Sequence, residues 1–313
     1  MNEQPRSHKL GVIGTLVWDR ICGLDAAEAV EDWGGLAYAL AALEATLDPG
    51  WGVVPIVKVG RDLADEAMEF VDSLDCVVDT GAIRPVAEDN NRVELAYSGP
   101  SRRVETLSGG VPPWTWSELE PQLAGLDGLY VNFISGFEFP LDVARRIRLA
   151  FDRPTYADLH SLFLGVDGSG RRFHRPLDDA LEWCLAFDAV QVNEDELRQL
   201  APGIGDPWAW AVASLDLGVG EILVTLGGEG AAHVGYGGDG RAEVLRVPVG
   251  PVEGGDPTGC GDVWGATFFG SRLAGTNLLP AMERANRVAG TNLQSRGVTG
   301  FRGGVGAVQR GPR

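Results

Sequence analysis

The chain has 313 residues, 44% of them hydrophobic and 22% charged, which is enough apolar material for one large core and too much for wholesale disorder. Its formal net charge of −18, with only two lysines (Lys9 and Lys58), makes phosphodiester backbones and anionic membranes poor partners. No apolar run is long enough to span a bilayer. The segment from Met1 to Lys9 is too polar for a signal peptide, and Cys22, Cys76, Cys184 and Cys260 form no C-x-x-C pair. A cytoplasmic setting is therefore expected.

In chain order, Leu10 to Gly14 reads as a buried strand ending in glycine. A helix from Leu36 to Leu47 follows Gly34-Gly35. The β-branched run from Gly52 to Val59 predicts a second strand, and Asp62 to Leu74 a helix with an acidic start. Between Cys76 and Thr106 the pattern changes to short alternating segments (76–79, 83–86, 92–97 and 102–106), which predict a small antiparallel sheet. Strand and helix then alternate again: strands at 129–133, 155–159, 189–192 and 222–226, helices at 141–151, 177–185 and 208–217. A hairpin over 231–247 precedes two helices near 261–273 and 279–295, and the glycine- and arginine-rich end, 300–313, is expected to be a flexible tail. Repeated strand–helix units specify an α/β fold with a doubly wound, mainly parallel sheet, which binds ligands beyond the carboxyl ends of its strands.

Several nucleotide motifs are missing. No G-x-x-x-x-G-K-[ST] occurs, so the chain is not a P-loop NTPase, and Lys58 has no H-R-D or D-F-G beside it, so it is not a protein kinase. Gly235, Gly237 and Gly240 do form a G-x-G-x-x-G, but a strand follows where a dinucleotide site needs a helix; the reading is a hairpin turn. The four histidines lack ligand spacing and are read as ordinary surface or core residues.

The segment from Gly254 to Gly270 carries the strongest signal. A glycine loop runs into a helix of small and apolar residues, so the amides of Gly259, Cys260 and Gly261 face out of a helix N-terminus that favours an anion. Asp262 stands in the first turn, where it either stabilises the helix start or acts on the bound anion. Asn193 and Glu196 likewise have the spacing of a helix cap with its partner at N3.

The segment resembles the C-terminal signature of the ribokinase/PfkB carbohydrate kinase family at Asp256, Thr258, Gly259, Gly261 and Asp262, with Cys260 where alanine is usual. Gly34-Gly35 and Val59 to Asp62 resemble its N-terminal signature, Asn193 to Glu196 its N-x-x-E motif, and Val224 to Gly230 its nucleotide segment. The resemblance covers about Leu10 to Gly297 and implies one ribokinase-like domain over 1–313, with a β lid built from about 15–33 and 76–107. It implies an ATP-dependent kinase acting on a hydroxyl of a small sugar-like or nucleoside-like acceptor. Asp262 is then the base and the amides of Gly259 to Gly261 the anion hole. Asn193 and Glu196 order Mg²⁺ through water, and Thr225, Gly227 and Gly230 line the ATP site. Asp256 and Thr258 mark a place for K⁺ or another monovalent cation. The acceptor pocket falls to Asp19, Gly34, Gly35, Tyr38 and Asn132, with Asn90, Arg92 or Arg103 reaching from the lid. Tyr38 replaces the family's usual Asn, which argues against ribose, and the lid arginines suggest an oxygen-rich or anionic acceptor. A homodimer through the lid is the mode of assembly the resemblance implies. A catalytically inactive nucleotide-binding relative and a dinucleotide-dependent oxidoreductase are the rival readings.

Overall fold

The computed structural model of the chain describes residues 6–22, 29–99, 102–250 and 254–309. The first strands are β1 (His8–Ile13), β2 (Leu16–Cys22), β3 (Ala29–Gly35), β4 (Trp51–Gly60), β5 (Ile83–Val86), β6 (Arg92–Gly99) and β7 (Arg102–Ser108). They are followed by β8 (Gly128–Asn132), β9 (Thr155–Asp158), β10 (Leu164–Val166), β11 (Arg172–His174), β12 (Ala189–Asn193), β13 (Glu221–Thr225), β14 (Ala231–Tyr236) and β15 (Ala242–Val247). The helices are α1 (Leu36–Thr46), α2 (Ala64–Asp72), α3 (Trp116–Leu119), α4 (Leu141–Ala150) and α5 (Ala180–Leu185) in the first part. The second part holds α6 (Glu194–Leu200), α7 (Pro207–Leu215), α8 (Cys260–Leu273), α9 (Leu278–Leu293) and α10 (Gly297–Gln309).

Nine strands form one sheet in the order β15-β14-β13-β12-β9-β8-β1-β4-β5. All neighbours from β13 to β5 pair in parallel, and the β14–β15 hairpin closes one edge antiparallel. Helices cover both faces, so the central strands are apolar on both sides; every residue of β4 is buried. One face packs on α1, α8, α9 and α10 through Leu36, Trp264, Phe268, Met282 and Phe301, and the other on α4 to α7 through Ile147, Trp183, Leu197 and Ala211. The buried Lys58 is structural. Its Nζ donates to Glu118 at 3.0 Å and to the Pro113 carbonyl at 2.9 Å, and it lies over the Trp114 ring. The G-x-G-x-x-G is the β14–β15 turn, closed by Gly237 and Arg241.

A separate four-stranded sheet, ordered β3-β2-β6-β7, forms the lid. Pairs β2–β3 and β6–β7 are antiparallel, and β2–β6 is parallel. This sheet is smaller than the sequence suggested. Residues 76–86 belong to the main sheet, since Val77 bridges to Val53 and β5 adds to the edge of β4. Their alternating apolar residues complete that edge rather than a lid.

The expected flexible tail is also corrected for the described residues, because 297–309 is helical. Val298, Phe301 and Val305 fall at i, i+3 and i+7, and all three are buried. Arg302 donates to the Ser73 hydroxyl and carbonyl, both at 2.9 Å, and the Thr299 amide donates to Asp32 of the lid at 2.8 Å. Tertiary burial overrides the weak helix propensity of the glycines.

Candidate active site

A cavity of about 1300 Å³ opens beyond the carboxyl ends of β8, β9, β12 and β13, between the lid and α8–α10. Gly259 precedes α8 with φ of +75°, a conformation that disfavours any side chain. A Cβ there would also lie 2.4 Å from the Tyr38 ring, so the loop turns directly on that ring. The Cys260 amide donates to the Pro257 carbonyl at 3.1 Å. Its N–H is thus already engaged, which leaves the amides of Gly259 and Gly261 as the candidates for an anion hole. The Cys260 thiol is pushed up to about 11 by burial and neighbouring carboxylates, so it is inert near neutrality.

Asp262 lines the cavity at the start of α8, and its Oδ1 accepts from Asn132 Nδ2 at 2.8 Å. Burial lifts its carboxyl to about 6, against the Asn132 hydrogen bond and the charge of His160, which hold it down. Opposite it, at the end of β9, Asp158 is raised to about 8, first by burial and then by Asp262. Asp158 Oδ2 accepts from Gln191 Nε2 at 2.7 Å, and Gln191 also donates to the Gly261 carbonyl at 3.1 Å, tying β12 to the α8 start.

The end of β12 is a capping box. Asn193 Oδ1 accepts from the Glu196 amide at 2.9 Å, and Glu196 Oε2 accepts from the Asn193 amide at 2.7 Å. Glu196 is 1% exposed, and its Oε1 meets His160 Nδ1 at 2.5 Å. Burial opposes charge on His160, but Glu196 and Asp158 outweigh it and lift the imidazole to about 9. It is a cation at neutral pH, facing the cavity. Reading His160 as an ordinary residue is thus corrected; ligand spacing in sequence was the wrong test for a residue recruited by a buried glutamate.

Among the described residues no three acidic, histidine or cysteine side chains form a metal cluster. The donor set nonetheless fits Mg²⁺, a hard cation that keeps its waters and takes few protein oxygens. Asp158 and Glu196 are the residues that would supply those oxygens, Glu196 through water because its carboxylate already accepts from Asn193 and His160. Asp256 Oδ1 accepts from the Thr258 amide at 3.0 Å, and the Thr258 carbonyl accepts from Asn292 at 2.8 Å. The loop expected to gather a monovalent cation is thus cross-linked by protein donors.

Thr225, Gly227 and Gly230 line one end of the cavity, together with Asn286, Gly290 and Leu293 of α9. At the other end, under the lid, stand Asp19 and Gly35. Gly34 serves Asp19 indirectly, since a Cβ there would meet its Oδ2 at 1.8 Å. Four expected acceptor contacts are corrected. Tyr38 is 2% exposed beneath Gly259, because the phase of α1 turns it toward α8 instead of the lid. Asn132 holds Asp262 instead of forming the pocket wall. Asn90 is fully buried and clamps the Gly60 amide and the Leu16 carbonyl, both at 3.0 Å. Arg92 is turned outward to Asp62 at 2.6 Å. The Arg103 side chain lies outside the described residues.

Arg172 escaped the sequence reading altogether. It lines the cavity from β11, donating to Glu105 at 2.6 Å and to the carbonyls of Ile134 and Ser135 at 2.7 and 3.0 Å. Only the run of arginines at 171, 172 and 175 hinted at it.

The model of the pfkB family carbohydrate kinases matches residues 171–301. No curated protein matches the chain. In structure it is similar to ribokinase from Thermotoga maritima, with a TM-score of 0.76 and 18% identity over 97% of this chain and 99% of that one. It is also similar to a putative ribokinase II from E. coli in complex with ATP and Mg²⁺ (0.73, 19% identity, 97% and 99% covered). A third neighbour is a pyrophosphate-dependent kinase in the ribokinase family complexed with a pyrophosphate analog and myo-inositol (0.72, 20% identity, 95% and 99% covered). The fold is ribokinase-like over 97% of the chain, and the residues similar to the pfkB family of carbohydrate kinases, 171–301, include the nucleotide segment and Asp262.

Proposed function

We propose that the chain transfers the terminal phosphoryl group of ATP to a hydroxyl of a small sugar-like or nucleoside-like acceptor, with Asp262 as general base. The observation that carries this reading is the placement of Asp262. It sits in the first turn of α8, held by Asn132 at 2.8 Å, midway along a cavity whose two ends differ in chemistry. The end along α9 has the room and the small residues, Ala289 and Gly290, that a nucleotide base needs. The end under the lid offers Asp19 to hydroxyls.

As the acceptor oxygen attacks the terminal phosphorus, its proton passes to Asp262, the bridging P–O bond breaks and ADP leaves. The amides of Gly259 and Gly261 face the transferring oxygens, and the imidazolium of His160 adds positive charge nearby. Glu196, through water, and Asp158 would hold Mg²⁺, which would neutralise charge on the donor phosphates. The lid excludes water that would otherwise compete with the acceptor.

ADP release is measured with ATP, Mg²⁺ and a panel of ribose, fructose, myo-inositol, glycerol and inosine, with pyrophosphate run beside ATP as donor. Turnover with one acceptor, lost roughly 10²- to 10⁴-fold in Asp262→Asn with ATP affinity retained, is the expected result. ATP binding without transfer to any acceptor supports the inactive-relative reading instead.

A further inference from the structure

The cavity under the lid has aliphatic walls from Val93, Leu95 and Ile134, and Arg172 stands among them. Its side chain is 4% exposed, and its Nε has no partner among the described residues. A buried guanidinium N–H left unpaired is costly, so such a group signals a missing hydrogen-bond acceptor. The rest of the guanidinium is committed. Nη1 donates to Glu105, and Nη2 donates to two backbone carbonyls. The formal charge is thus already met by a carboxylate, and the two-pronged face that would grip a carboxylate or phosphate is occupied. What remains is one directional donor suited to a neutral oxygen.

The mounting of Arg172 matters as much as its chemistry. Strand β11 lies outside both larger sheets, in a two-stranded hairpin with β10. That hairpin is fastened to the lid, because the Leu107 amide donates to the Gly170 carbonyl at 2.8 Å and Thr106 bridges to Arg171. Ile134 and Ser135, in contrast, follow β8 of the main sheet. Arg172 therefore spans from lid to core across the acceptor end of the cavity.

We propose that Arg172 is a specificity-determining residue whose Nε–H donates to a neutral oxygen of the acceptor, a hydroxyl or ring ether remote from the hydroxyl that is phosphorylated. This rests on the kinase reading above and adds to it a recognition contact and a class: an acceptor uncharged at that position. It replaces the expectation that a basic lid selects an anionic acceptor.

The test couples the side chain to one acceptor hydroxyl. The best acceptor of the panel and each of its monodeoxy analogues are assayed with wild type, Arg172→Lys and Arg172→Met. A buried hydrogen bond to a charged donor sets the scale, so wild type loses roughly ten- to hundredfold in kcat/KM for one deoxy analogue. Both variants are expected to lose that discrimination while keeping the wild-type preference at every other position and the wild-type KM for ATP. Arg172→Lys still reaches Glu105 and so guards against a variant that fails to fold. Variants that fall equally for all acceptors, or that keep the wild-type ranking, overturn the proposal and make Arg172 a lid clamp only. If wild type phosphorylates nothing in the panel, the kinase reading falls and this inference falls with it.

Discussion

Replacing Asn132 by leucine, which is close in volume, isolates the control that the protein exerts over Asp262, the proposed base. The Asn132 Nδ2 donates to Asp262 Oδ1 at 2.8 Å, and that hydrogen bond holds down a carboxyl that burial lifts to about 6. The Asn132 Oδ1 is buried without a partner among the described residues, so its loss orphans nothing. A hydrogen bond to a charged group contributes about 1.5–3 kcal/mol net, and one pKa unit corresponds to about 1.4 kcal/mol. Asp262 should therefore rise by about one to two units, moving the acid limb of the kcat/KM profile from about 6 to about 7–8. The sign follows from the role, because the base must be ionised and activity is lost below its pKa. At pH 7 the variant should retain about half to one tenth of wild-type kcat/KM, and by pH 9 it should recover to within about a factor of two. The assay is initial-rate ADP release from pH 5 to 9 at subsaturating acceptor. An unmoved acid limb, or an equal loss at every pH, refutes the reasoning, since either result means that Asn132 does not act through the ionisation of Asp262.

Gly259→Ala meets both a positive φ and the Tyr38 ring, and should cost at least about 100-fold in kcat while ATP still binds; single-turnover transfer rates check it. Gly34→Ala drives a Cβ into Asp19 and should raise the acceptor KM at least about tenfold with the ATP KM unchanged, as initial-rate kinetics will show. Asp158 and Asp262 are raised above their unfolded values, so the folded chain binds more protons than the unfolded one from about pH 4 to 8. The ion pair of His160 acts in the same sense: its contribution is full below about 6.5 and lost as pH rises through about 9. The thermal midpoint should therefore fall by roughly 5 °C between pH 6 and pH 9, and a flat profile in a melting series would contradict the burial argument.

The alternation of β-branched runs with amphipathic segments made the doubly wound sheet readable, because strands buried on both faces are apolar nearly throughout, as β4 is apart from Lys58. The candidate base was readable for a different reason: a glycine loop entering a helix of small residues has few structural uses. What escaped was anything decided by convergence in space. Asp158 and His160 lie on a four-residue strand and the turn after it, and they acquire meaning only beside Glu196, in the first turn of the helix that follows the neighbouring strand. Asn90 looked like a ligand because it is polar and near the lid, yet its amide is spent on backbone groups that hold the lid hinge. Tyr38 was placed by counting from a glycine pair, and the helical phase of α1 then sent it to the other side of the loop. Arg172 sits in a short hairpin whose two three-residue strands carry no periodic pattern to read.

Two buried carboxyls line the same cavity, so the choice of Asp262 over Asp158 as base requires an argument independent of motif. Both are raised by burial, and each is hydrogen-bonded: Asp262 by Asn132, Asp158 by Gln191 and the His160 amide. Their positions nevertheless separate, to about 6 and about 8, and the charge of Asp262 is one of the causes that keeps Asp158 high. Asp262 is therefore the more readily ionised of the two, and Asp158 holds its proton to higher pH. Neighbouring acids whose environments push them apart in this way have divided the roles between them. Asp262 also stands at the helix start, where the amide of Gly261 can hold an anion within reach of the group that accepts its partner's proton. Asp158, with both oxygens bound to Gln191 and the His160 amide, is fixed in place and suited to holding a cation once its proton is displaced. Electrostatics and the glycine-loop motif thus select the same residue by separate routes.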